Sequence, residues 1–121
     1  MKLAEVKEIL DLEPLVPGND DLEIVTACGA DLMSDVLAFS QEKSLLLTGL
    51  TNPQVVRTAE MIDIKVIIFV RGKRPPEETV QLARKKGIYL YLAKKPLFEC
   101  CGLLYEKGLK PEKINRLDLE E

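Results

Sequence analysis

Apolar positions along the chain switch between helical and extended spacing, and the switching predicts a series of strand–helix units. Leu3, Val6, Ile9 and Leu10 share one face at helical spacing, with Lys2, Glu5 and Glu8 turned away, which predicts a short amphipathic helix over residues 2–10. Pro14 and Pro17-Gly18-Asn19-Asp20 then interrupt the pattern and leave only Leu15-Val16 as a short extended piece. Leu22 to Ala27, containing Ile24, Val25 and Thr26, predicts the first strand. Asp31 stands ahead of Leu32, Met33, Val36, Leu37 and Phe39 and is expected to cap a helix over 32–40.

Three further runs, Leu45 to Thr48, Val66 to Val70 and Tyr89 to Leu92, are apolar at successive positions rather than alternate ones. That is the pattern of parallel strands covered by helices on both faces. Asn52 is expected to cap a helix that starts at Pro53 and buries Val55, Val56, Ala59 and Ile62. Pro75-Pro76-Glu77-Glu78 opens another helix, and Arg84, Lys85 and Lys86 close it ahead of Gly87, with charges matched to the helix dipole at both ends. The last helix starts at Pro96, carries Leu97, Cys101 and Leu104 on one stripe, and ends at Gly108.

Strands alternating with helices through short turns imply right-handed crossovers. The expected fold class is therefore α/β: a single small domain over residues 1–121, its mostly parallel sheet of about four to five strands flanked by helices. Residues 1–20 form an N-terminal helix and irregular segment, 21–108 the α/β core, and 109–121 a C-terminal tail that docks or frays. A sheet this small has two edges, so residues 13–20 or a partner subunit should cover one.

One unit occurs twice, 23 residues apart: an apolar strand, a Gly-x-x-x-Pro turn and a helix, with Gly49 leading to Pro53 and Gly72 to Pro76. In an open parallel sheet such turns lie side by side at the carboxyl ends of the strands, where ligands bind. Thr48, Gly49, Thr51 and Asn52 in the first, with Arg71, Gly72, Lys73 and Arg74 in the second, are the candidate ligand-binding residues. Glycine admits a close approach, helix N-termini favour an anion, and the cations add charge, so a phosphorylated metabolite or a nucleotide is the expected ligand class. Neither a G-x-G-x-x-G nor a G-x-x-x-x-G-K-[ST] is present, and the alternative is that glycine and proline only make the turns while the cations pair with Glu77 and Glu78.

The chain of 121 residues carries a net charge of −3 and no histidine. An acidic balance argues against non-specific nucleic-acid binding. The missing imidazole removes the Ser-His-Asp and Cys-His mechanisms. No apolar stretch nears the roughly 20 residues of a membrane span, and Glu5, Lys7 and Glu8 interrupt any leader-like start, so a cytoplasmic location without membrane partners is expected. Cys28, Cys100 and Cys101 have no C-x-x-C spacing and read as small apolar core residues rather than zinc ligands or reactive thiols. Asp31 and Asp35, with Ser34, make a thin hard-cation set that capping explains better, so neither metal nor cofactor is expected.

The residues also resemble a known family. From about Cys28 to Gly108, the helix start Asp31-Leu32-Met33-Ser34-Asp35-Val36-Leu37, the turn Leu47-Thr48-Gly49-Leu50-Thr51-Asn52-Pro53 and the turn Phe69-Val70-Arg71-Gly72-Lys73-Arg74-Pro75-Pro76 are similar to the DRTGG domain. That family is similar in fold to the N-terminal domain of HPr kinase/phosphorylase. The resemblance implies a regulatory or scaffolding module without catalytic residues, often dimeric, working with a separate catalytic or signalling protein. Thr51-Asn52-Pro53 and Arg71-Gly72-Lys73 stand where the family has Gly-Asp-Arg and Thr-Gly-Gly. Two other classes remain: a protein-interaction or scaffold subunit without a small-molecule ligand, and a small phosphotransferase or phosphatase using Asp31, Asp35 or Lys73.

Overall fold

The computed structural model describes residues 1–39 and 44–111. In chain order the elements are α1 (Leu3–Leu10), β1 (Glu13–Val16), β2 (Thr26–Gly29), α2 (Met33–Phe39), β3 (Ser44–Thr48), α3 (Pro53–Met61), β4 (Val66–Phe69), α4 (Glu77–Lys86), β5 (Tyr89–Leu92), α5 (Leu97–Glu106) and β6 (Lys110–Pro111). The six strands form one sheet in the order β1-β5-β4-β3-β2-β6. All neighbours are parallel except β1, which runs antiparallel along β5. The expected α/β class holds, with a mostly parallel sheet flanked by five helices.

The unbroken apolar runs are explained by two cores. Leu45, Leu47, Val66, Ile68 and Tyr91 point to the face covered by α1 and α5, through Leu3, Val6, Leu10, Cys100 and Leu104. Leu46, Ile67, Phe69, Leu90 and Leu92 point to the other, against Val36 of α2, Val55, Val56 and Ala59 of α3, and Ala83 of α4. Successive strand residues face opposite sides, and here every side is buried. No helix among the described residues is long and apolar enough to cross a membrane.

The sheet exceeds the expected four to five strands at both edges. Residues 13–16, read as irregular apart from Leu15-Val16, form β1 and cover the edge of β5, with a register shift between Pro14 and Val16. At the other edge β6 pairs with Thr26 and Ala27, so the tail expected from 109 onward begins inside the fold, with Leu109 buried. Residues 112–121 and position 40 of the expected 32–40 helix lie outside the described residues.

The first strand sits later than the Leu22–Ala27 run. Leu22 and Ile24 are occupied by the N-terminus: Leu3 N–H donates to the Leu22 carbonyl at 2.9 Å, and Ile24 N–H to that of Met1 at 2.7 Å. Asn52 stands at the N-cap of α3 with Pro53 following, but its side chain makes no capping hydrogen bond. On α5 the buried stripe centres on Cys100 and Leu104, and Cys101 and Leu97 are half-buried at its margin.

Cys100 is fully buried, and its Sγ–H donates to the Lys95 carbonyl at 3.5 Å. Burial, reinforced by the neighbouring Cys101, pushes its thiol from the ordinary 9.0 up to about 11. A folded-state pKa raised above the unfolded one contributes stability that is intact below the unfolded value and lost as pH rises through the folded one. Unfolding free energy should therefore fall between about pH 9 and 11, and Cys100→Ala should flatten that decline in urea melts at a series of pH values. At neutral pH an alkylating agent should label Cys100 only after the fold opens.

Candidate functional site

The crossovers through α2, α3 and α4 step across one face of the sheet, whereas α5 carries the chain back across the other to β6. Connections leaving the adjacent strands β4 and β5 therefore diverge to opposite faces. This is the point in an open parallel sheet at which a crevice opens beyond the strand carboxyl ends. On the β4 side of this point three loops lie together: Ala30-Asp31-Leu32 after β2, Thr48-Gly49-Leu50-Thr51-Asn52 after β3, and Arg71-Gly72-Lys73-Arg74 after β4.

Asp31 does not serve its own helix. Its Oδ1 accepts from Thr48 Oγ1–H at 3.0 Å and from Gly49 N–H at 2.8 Å, while Leu50 N–H donates to Thr48 Oγ1 at 3.1 Å. Thr48 is fully buried, so its hydroxyl shapes the turn and does not face a ligand. Removing the carboxylate leaves that buried hydroxyl without its acceptor. Asp31→Ala should lower stability by about 1–3 kcal/mol in urea denaturation, and Asp31→Asn, whose amide oxygen still accepts, by less.

Arg71 and Gly72 both have positive φ, 60° and 65°, and Lys73 N–H donates to the Val70 carbonyl at 3.3 Å. Positive φ at both central positions is the signature of a type I′ turn. Glycine adopts it readily; arginine there is strained. The strain is held by hydrogen bonds to the next loop, from Arg71 N–H to the Lys95 carbonyl at 2.9 Å and from Gly72 N–H to that of Ala93 at 2.8 Å.

The Arg71 guanidinium reaches back over Gly49. A Cβ at position 49 would stand 3.3 Å from Arg71 Nη2 and 3.6 Å from each Asp31 carboxylate oxygen. Glycine thus leaves room for a guanidinium and a carboxylate above the same turn. Among the described residues neither Arg71 nor Lys73 forms an ion pair, and both side chains are exposed. Arg74 is different: its Nη2 lies 2.7 Å from Glu13 of β1, so it is tied to the sheet edge rather than to Glu77 or Glu78.

The helix ends also differ. The first turn of α4 contains Glu77 and Glu78 and that of α5 contains Glu99, whereas α3 has neither an acidic residue there nor a side-chain cap. Of these three helices, α3 is the one whose N-terminal partial positive charge is not already offset. Thr51 and Asn52 precede it, half-buried and exposed. The Thr51 carbonyl accepts from the buried Thr79 hydroxyl at 2.7 Å, which ties α4 to this turn. Of the expected site residues, Gly49, Thr51, Asn52, Arg71, Gly72 and Lys73 lie in the loops after β3 and β4, Thr48 supports the first of these loops from beneath, and Arg74 points to β1.

Two features escaped the sequence reading. Asp31 is a turn-positioning residue whose Oδ2 is left over, and its partners lie 17 and 18 positions away. Lys94 and Lys95, in the loop after β5, flank the β4–β5 divergence; they follow a strand as Arg71 does, but without a glycine to draw attention.

Fold and loops together give a small α/β domain with the exposed cations Arg71 and Lys73 at the carboxyl ends of the strands and the Asp31 carboxylate beside Arg71. Comparison with protein-family models and with curated protein sequences gives no match. Among solved structures, the chain is similar to the crystal structure of the CBS and DRTGG domains of the regulatory region of Clostridium perfringens pyrophosphatase, complexed with its activator diadenosine tetraphosphate. The TM-score is 0.67 at 17% identity, over 85% of this chain and 45% of that one. The chain spans less than half the length of the structure it matches, and the likeness is one of fold.

Proposed function

We propose that this chain is a non-catalytic, ligand-sensing regulatory module of the cytoplasm. It binds a nucleotide-type, phosphate-bearing metabolite at the carboxyl ends of β3 and β4, works as a homodimer, and acts on a separate catalytic or signalling protein. The observation that carries the reading is Arg71, a strained arginine in a turn that glycine would fill without strain, with its guanidinium held over Gly49 and left without an ion-pair partner among the described residues. Backbone strain of this kind is a pointer to function. Lys73 and the open start of α3 add positive potential, and Thr51 and Asn52 offer polar contacts.

The carboxylate beside Arg71 decides between ligand types. Asp31 repels a bare anion, but its spare Oδ2 accepts from hydroxyls, as acidic residues do from ribose in dinucleotide sites. A nucleotide offers both groups. The matched regulatory region, whose activator is diadenosine tetraphosphate, agrees with that class.

Isothermal titration of the full chain with ADP, ATP, diadenosine tetraphosphate and inorganic phosphate tests the proposal. A nucleotide should bind more tightly than phosphate, and more weakly as salt is raised. Absence of binding by any of the four overturns it. In that case the exposed apolar face of α5 favours the second reading, a protein-interaction or scaffold subunit without a small-molecule ligand.

A further inference from the structure

Helix α5 turns two large apolar side chains to solvent: Phe98 is 90% exposed and Tyr105 69%. Between them, in the helix interior, stands Gly102, with nothing within 4 Å of the place a Cβ would occupy. Glycine is among the least favourable residues inside a helix. Nothing among the described residues requires it here, whereas a second helix packed closely across this point would.

Cys101 and Tyr105 also border a mostly apolar cleft of about 200 Å³, whose lining includes Ala27, Leu47, Leu104 and Leu109 along with Lys110. A cavity of roughly 150 Å³ holds a benzene ring, so a phenyl side chain fits this one. Phe98 does not reach it within its own chain, being seven residues, about 10 Å, from Tyr105 along the helix.

Phe98 and Tyr105 are equidistant from the midpoint between Cys101 and Gly102. A two-fold axis through that midpoint, with two copies of α5 antiparallel, sets each Phe98 against the other copy's Tyr105 and brings Gly102 to the crossing. Such an isologous contact satisfies both halves with one surface. The geometry points to α5 as the surface of a homodimer, with Phe98 of each copy seated in the other's cleft beside Tyr105. Covering four such rings removes on the order of 600–1000 Å², the low end of specific interfaces, as suits a reversible dimer. This inference rests on the reading of the module as a homodimer and gives that dimer its surface.

Sedimentation velocity of the full chain over a concentration series tests it. The wild type should move from monomer to dimer, and Phe98→Ser should weaken association about tenfold or more while keeping the native circular dichroism, because Phe98 is exposed. Gly102→Ala should raise the melting temperature of the monomer and weaken the dimer, a pair of opposite effects that a glycine without an external partner would not show. A wild type that stays monomeric overturns both the homodimer and its surface. A dimer left intact by Phe98→Ser and Gly102→Ala overturns the α5 surface alone.

Discussion

Phe69→Ala should lower stability by about 3–5 kcal/mol, the range for truncating a fully buried phenylalanine. Phe69 ends β4, paired in register with Thr48 of β3 and Leu92 of β5, and its ring lies in the core beneath α2, α3 and α4. Truncation leaves a cavity next to the loops that follow β3 and β4, where surrounding elements are held by the sheet and collapse little. Against a total of roughly 5–15 kcal/mol this is a large fraction, and the melting temperature should fall by about 10–20 °C. Urea denaturation measures it. A loss under about 1 kcal/mol would mean that the site repacks and that Phe69 is not a fixed floor for the loops.

Gly18→Val has the second largest expected effect. A Cβ at position 18 would collide with the ring of Tyr89, and Gly18 N–H donates to the buried Tyr91 hydroxyl at 3.0 Å. Either the ring leaves its place over β5 or the segment joining β1 to β2 lifts and the hydrogen bond breaks. Overpacking and a lost bond together come to about 2–4 kcal/mol. The cause is checked by a double mutant. Combined with Tyr89→Ala, Gly18→Val should destabilise by clearly less than the two single effects added, since the second change removes the clash. Additive effects would place the damage elsewhere.

These cases show which parts of the structure could be read from sequence. The central strands were legible because Leu45-Leu46-Leu47 and Val66 to Val70 are apolar at every position, which only a sheet covered on both faces requires. The start of α4 at Pro75-Pro76-Glu77-Glu78 and its end at Gly87 depend on neighbouring residues alone. What depended on distant partners was not legible. Leu22 and Ile24 look like strand residues and instead serve Leu3 and Met1, and β6 is two residues ending in Pro111, below any periodic signal. The same division runs through the candidate site. Its glycines and cations stood out, but the buried duty of Thr48, the turn-holding role of Asp31 and the pairing of Arg74 with Glu13 belong to loops brought together by the sheet. The importance of Lys94-Lys95 follows only from the opposite crossing of α5.

The account stands on Arg71 as a residue kept for a ligand at the expense of local strain, and thermal melting of wild type, Arg71→Gly and Arg71→Ala with and without saturating nucleotide tests this most directly. Without nucleotide, Arg71→Gly should melt at or slightly above the wild type, because relief of a left-handed arginine, about 1–2 kcal/mol, outweighs the added freedom of the unfolded chain, about 0.4–1 kcal/mol. With nucleotide near 100 times its Kd, the wild type should gain about 2.7 kcal/mol, a shift of several degrees, and both variants should gain almost nothing. An equal shift in the variants, or a wild type unmoved by every nucleotide, would contradict the account.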